Sequence, residues 1–138
     1  RTGTDITLVS YGSTLRLVQI AAEKLATMGI NAEIIDVQSL IPLDKTAIIG
    51  ASVQKTNRLL IVDEDIPGGG SAYILSQLLE KQNIYQYLDS QPMLLTAKEH
   101  RPAYGTDGDY FSKPSIEDIV EKVYAIMHEA KPSQFPAL

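Results

Sequence analysis

The chain contains no cysteine among its 138 residues, which excludes disulfides, thiolate nucleophiles and cysteine-ligated metal while saying nothing about compartment. It has only two histidines, His100 and His128, far apart and without a third ligand, so no zinc site is expected. No apolar run approaches the ~20 residues that span a bilayer, and the N-terminus lacks a charged-then-apolar leader. The default location is therefore cytoplasmic, with no membrane partner. Excess positive charge is missing too. A net charge of −5 opposes phosphate backbones and anionic lipid, which argues against nucleic acid and leaves a basic protein as a partner. Internal repeats, low-complexity tracts and inter-domain linkers are absent.

What is present is a soluble, foldable composition. Hydrophobic residues make up 44% of the chain and mean hydropathy is near zero, enough for one core in one domain spanning 1–138. Apolar runs alternate with helical stripes. Ile6 to Tyr11, Ala32 to Val37, Arg58 to Val62 and Met93 to Thr96 read as strands; Leu59 to Val62 is apolar without alternation, as in a parallel sheet covered on both faces.

Between them, Val18, Ala21, Ala22 and Leu25 mark one helix, ended by Gly29. A second helix carries Ile48, Ile49 and Ala51 behind an expected N-cap at Asp44. The third carries Ile74, Leu75, Leu78 and Leu79 behind an expected cap at Ser71. The last helix has Ser115 and Asp118 as a capping box over the stripe Ile116, Ile119, Val120, Val123 and Met127. The tail 131–138, with two prolines, reads as irregular. Strands separated by helices of this length require right-handed crossovers, so the expected fold is a three-layer α/β/α sandwich on a mainly parallel sheet.

Candidate chemistry is sparse. Gly68, Gly69 and Gly70 precede a helix, where they could cradle a phosphate, but no lysine follows to make a P-loop, and a sharp turn between strand and helix is the favoured reading. If the first and third strands are neighbours, this run and Gly12-Ser13 flank the topological switch point, where an anion or a subunit would make contact. Asp63, Glu64 and Asp65 at a strand end read as a solvated acidic loop, because alternation keeps all three from converging. His100 is the better of the two histidines for a role, yet no Ser or Asp spacing nominates a triad. Tyr104, Tyr110 and Phe111 lie among Gly and Asp residues in the loop from Lys98 to Lys113. They either anchor a partner or fold back on the core. No catalytic, cofactor-binding or metal-binding residue is assigned.

The order TDITLVSYGS, GINAEIIDVQSLIPLD, SVQKTNRLLIVDED with GGGSA, and YLDSQPMLLTAKEHRPAY resembles the C-terminal domain of the beta subunit, or beta half, of the thiamine-dependent decarboxylating component of 2-oxo acid dehydrogenase complexes. The resemblance covers Thr4 to about Met127 and is most specific at PLD and KTNRL. It implies the transketolase C-terminal fold, with an extra antiparallel strand that would lie before Arg1. A chain starting at Arg1 with no initiator methionine then reads as an excised piece, and an unpaired sheet edge is expected.

The resemblance further implies that thiamine diphosphate and magnesium bind outside this region and that this piece alone is inactive. The complete enzyme would decarboxylate pyruvate or a branched-chain 2-oxo acid and reductively acylate a lipoyl group. Its partners would be an alpha subunit or alpha half, a second beta copy, and the basic peripheral subunit-binding domain of the core acyltransferase. Asp89 in LDSQP matches an acidic docking position, and Glu99, Asp107 and Asp109 agree with it in sign. Two alternatives share features: the C-terminal domain of deoxyxylulose-phosphate synthase, against which KTNRL and IEDIVEKV argue, and that of transketolase, whose SAP segment is missing. A third is a free-standing anion- or nucleotide-binding module using Gly12, Ser13 and Gly68 to Gly70.

Overall fold

The computed structural model describes residues 1–102, 104–105 and 107–137. Four strands, β1 (Ile6–Ser10), β2 (Ala32–Asp36), β3 (Leu59–Val62) and β4 (Met93–Leu95), form one sheet in the order β2-β1-β3-β4, and every pairing is parallel. Five helices pack around it: α1 (Thr14–Thr27), α2 (Ile48–Thr56), α3 (Gly70–Gln82), the one-turn α4 (Gly108–Ser112) and α5 (Ile116–Ala130). A short 3-10 turn at Ile84–Tyr87 follows α3.

The pleat divides the core in two, which makes the three layers. Ile6, Leu8, Ile34, Leu60 and Val62 face α1 and α5, where they meet Val18, Leu25, Ile119, Val123 and Met127. Val9, Leu59 and Ile61 face α2 and α3 and meet Ile49, Val53, Ile74 and Leu78. Thr7 is the polar exception on that second face; its hydroxyl lies 2.7 Å from both Ser52 and Thr56 of α2, so the buried groups satisfy each other.

Local rules account for several boundaries. Gly29, at φ +79°, ends α1 in a Schellman turn: its N–H donates to Ala26 and that of Ile30 to Leu25. The capping box at Ser115 and Asp118 is present in both directions. Two expected caps are displaced. Asp44 is not the N-cap of α2, which is Ala47. Asp44 sits a turn upstream in a left-handed conformation and reaches forward to accept from the N–H groups of Ile48 and Ile49 at 2.9 and 2.7 Å. Ser71 likewise does not cap α3, because the helix already begins at Gly70 and the Ser71 hydroxyl is buried without a partner among the described residues.

Arg1 exchanges backbone hydrogen bonds with Ile34 (3.0 and 3.4 Å), an antiparallel contact that covers part of the β2 edge expected to be bare. Gly3 is needed there, since a Cβ would run into the backbone of Ala32. The tail does not hang free. Its irregular backbone folds back so that Phe135 is 4% exposed and stands edge-on to Tyr124. The Tyr124 hydroxyl donates to the Pro136 carbonyl at 2.9 Å, and His128 Nδ1 lies 2.7 Å from the Phe135 carbonyl. His128 thus anchors the tail at the end of α5.

Candidate functional site

Because β1 lies between β2 and β3, the chain leaves β1 toward one side of the sheet and returns to its other side. The loops that follow β1 and β3 therefore meet at the carboxyl ends of the strands, at the switch point. Gly12 (φ +62°) and Gly68 (φ +90°) supply the left-handed turns that these loops require.

Hydrogen bonds stitch the two loops together. Ser10 Oγ donates to the Val62 carbonyl at 2.9 Å, Tyr11 Oη to Asp63 Oδ2 at 2.9 Å, and Ser13 Oγ to Glu64 Oε2 at 2.7 Å. Lys113, arriving from the other side, lies 3.6 Å from Glu64 and 3.6 Å from Asp109.

Asp63 departs from the solvated acidic loop that its sequence context suggests. Only Glu64 and Asp65 are exposed; Asp63 is 1% exposed. Its carboxylate accepts from Tyr11, from the Ser71 N–H at 3.0 Å and from the Asp65 N–H at 3.2 Å. It therefore lies at the positive end of α3, in the place an external phosphate would take. Gly70 lets this happen, since a Cβ there would collide with Tyr11 Oη.

Burial pushes the Tyr11 hydroxyl up to about 12, with the hydrogen bond to Asp63 and the charges of Asp63, Asp65 and Glu64 adding to the shift. Tyr11 is thus a held proton donor and not a base. The raised value favours the neutral form in the folded state, so its contribution to stability is complete below the ordinary tyrosine range and is lost as pH rises toward about 12. In an absorbance titration of the seven tyrosines, one should ionise late, and Tyr11→Phe should remove that late step. A Tyr11→Phe trace that keeps it would place the shifted group elsewhere.

The remaining candidates do not gather at one place. Asp89 lies at the amino end of the sheet, where its Oδ2 pairs with the buried Arg58, whose guanidinium also donates to the Asp5 carbonyl at 2.9 Å. Glu99, Asp107 and Asp109 follow β4 at the opposite end and are exposed. His100 is exposed there, with Nδ1 2.9 Å from the Arg101 carbonyl. No group of three His, Asp or Glu side chains suited to a metal ion occurs among the described residues. The described helices include none long and apolar enough to cross a membrane.

Sequence reasoning missed the Tyr11–Asp63 pair. The available signal was an acid directly after a doubly buried strand, eight residues ahead of the helix N–H that it accepts from.

This is a small α/β/α domain in which the Asp63 side chain holds the α3 N-terminus at the switch point. Residues 1–114 match the family described as "Transketolase, C-terminal domain", and the chain belongs to that family. Similar curated proteins include "Pyruvate dehydrogenase E1 component subunit beta-1, mitochondrial" of Arabidopsis thaliana, 38% identical over 87% of this chain and 32% of that protein. The "Pyruvate dehydrogenase E1 component subunit beta" of Rhizobium meliloti is 31% identical over 94% of this chain and 28% of its own length. The mitochondrial beta subunit of Saccharomyces cerevisiae is 34% identical over 92% and 35%. The chain spans about a third of the length of these relatives. Among solved structures, a "Split gene transketolase, inactive beta4 tetramer" superposes with a TM-score of 0.70 at 20% identity, over 92% of this chain and 39% of that one, a likeness of fold.

Proposed function

We propose that this chain is the assembly and docking domain of the beta subunit, or beta half, of a thiamine diphosphate-dependent 2-oxo acid dehydrogenase. The observation that carries the reading is the match to pyruvate dehydrogenase beta subunits along 87 to 96% of the chain. The switch point agrees with it, because Asp63 already holds the α3 N-terminus and Tyr11 keeps its proton. Gly12, Ser13 and Gly68 to Gly70 then serve a subunit contact, with the alpha subunit or a second beta copy, in preference to an anion. A nucleotide-binding module would have to admit phosphate beside Asp63, Glu64 and Asp65, against their charge.

Thiamine diphosphate and magnesium would bind elsewhere in the parent protein, which decarboxylates the 2-oxo acid and acylates a lipoyl group. Pyruvate, the acid in the names of these relatives, is the expected substrate, with branched-chain acids as the alternative. Asp89, held by Arg58 with its side chain 43% exposed, is the acid assigned to the basic subunit-binding domain of the acyltransferase. Glu99, Asp107 and Asp109 lie at the other end of the sheet and form a separate surface.

The test is an assay of the intact parent protein, with its alpha partner, thiamine diphosphate and magnesium, for carbon dioxide release from pyruvate and from 3-methyl-2-oxobutanoate. Release from pyruvate is expected. Ketol transfer between sugar phosphates, or synthesis of deoxyxylulose phosphate, would move the chain to one of the alternatives.

A further inference from the structure

The KTNRL stretch, residues 55–59, ends α2 and opens β3, and its Asn57 and Arg58 grip the segment ahead of β4 at three points. Asn57, left-handed at φ +63°, donates from Nδ2 to the Tyr87 carbonyl at 2.8 Å and accepts at its own carbonyl from the Asp89 N–H at 3.0 Å. Arg58 donates to Asp89 Oδ2. The other terminal nitrogen of Arg58 donates to the Asp5 and Thr56 carbonyls at 2.9 and 3.4 Å, while its Nε is buried without a partner among the described residues.

The two members of the ion pair are unequally placed. The Arg58 side chain is 7% exposed and that of Asp89 43%. Arg58 engages only Oδ2; Asp89 Oδ1 has no partner among the described residues. Asp89 is also the one charged residue lining an open hollow of about 530 Å³ formed by residues 85, 86 and 88–92.

Stability does not call for this arrangement. A buried cation loses its hydration, and an apolar side chain of similar volume holds such a place as well or better. What a guanidinium supplies is direction, because its donors stand at fixed angles in a plane. Asp89 is thus held at its backbone by Asn57 and at its carboxylate by Arg58, so little freedom remains to be lost on binding.

We infer that Arg58, with Asn57, is a positioning residue for docking: the two fix Asp89 so that its free Oδ1 accepts one arginine or lysine side chain of the basic subunit-binding domain. This rests on the docking role given to Asp89 above. Since Arg58 offsets the Asp89 charge at a distance, the pair recognises its partner through a directed hydrogen bond at contact more than through long-range attraction.

The test measures association and dissociation rates of the isolated subunit-binding domain on the intact parent protein with its alpha partner, at two ionic strengths. The parent should bind, and Asp89→Asn should weaken binding about tenfold. Arg58→Gln should raise the dissociation rate about tenfold, yet make association faster at low salt and more salt-dependent, because the acid is released from its counter-charge. Asn57→Gly keeps the left-handed turn and every charge while removing the Nδ2 bond; it should raise the dissociation rate and leave the salt dependence unchanged. Should Arg58→Gln fail to fold, Asn57→Gly alone decides. No binding by the parent, or binding unchanged in Asp89→Asn, would overturn the docking role of Asp89 and this inference with it. Weaker binding in Asp89→Asn together with an unchanged dissociation rate in Asn57→Gly, or tighter binding in Arg58→Gln, would overturn the inference alone.

Discussion

Asp63→Ala should destabilise the domain by about 3 kcal/mol, the sum of leaving one buried and two part-buried donors without an acceptor. The Tyr11 hydroxyl and the Ser71 N–H would both lose Asp63 Oδ2, and the Asp65 N–H would lose Oδ1. The favourable meeting of a carboxylate with the α3 N-terminus would go as well, a further fraction of a kcal/mol. Water relieves part of the loss only if it enters a site where Asp63 is 1% exposed. Asp63→Asn should cost less, because the amide oxygen still accepts while the amide N–H₂ must find a place among donors. Urea denaturation of the two variants checks this, and combining Asp63→Ala with Tyr11→Phe should give less than the sum of the separate losses. A loss for Asp63→Ala within about 0.5 kcal/mol, the range of ordinary surface changes, would show that the two loops hold together without it.

Phe135→Ala should cost a similar amount, about 3 kcal/mol, although it lies three residues from the end of the chain. The ring is 4% exposed and packs into the cluster formed by α1, α5 and one face of the sheet. Its removal also takes the edge-on partner from Tyr124, whose centroid is 6.0 Å away. The tail is held besides by Tyr124 Oη on the Pro136 carbonyl, by His128 against the Phe135 carbonyl and by Lys131 at 4.0 Å from Asp5. Loosening the ring should therefore free the segment, read as faster amide exchange from Lys131 onward. An unchanged denaturation midpoint, or exchange in the tail that is already fast in the parent sequence, would contradict the docked tail.

These two residues mark the limit of what sequence alone discloses. Elements set by local period were legible: the continuous apolar run of β3, the stripe of α5 with its capping box, and the Gly29 turn follow from spacing. The adjacency of β1 and β3, which creates the switch point, was legible only as a condition. Features made by distant partners were not legible. Asp63 reads as one of three surface acids until Tyr11, 52 positions earlier, is seen to donate to it. Asp89 reads as a lone docking acid until Arg58, 31 positions away, is found against it. Asp44 reads as an adjacent cap, yet the left-handed backbone at Asp44 and Ala47 places the helix start one turn later. Phe135 sits in a proline-flanked tail with no period of its own, so nothing local announces its burial.

The same division applies to the candidate site. Glycines, an acidic strand end and an aromatic loop were visible as composition. The structure adds that Asp63 accepts from the helix N–H behind the glycine run and that the rings of Tyr104, Tyr110 and Phe111 are exposed.

The central claim is that this domain assembles and docks while the thiamine chemistry is carried elsewhere in the parent protein. Calorimetric titration of thiamine diphosphate with magnesium, into the intact parent with its alpha partner and into this chain alone, tests it most directly. The account predicts saturable binding in the first case and none in the second. Saturable binding by this chain alone, or its absence from the assembled parent, would contradict it.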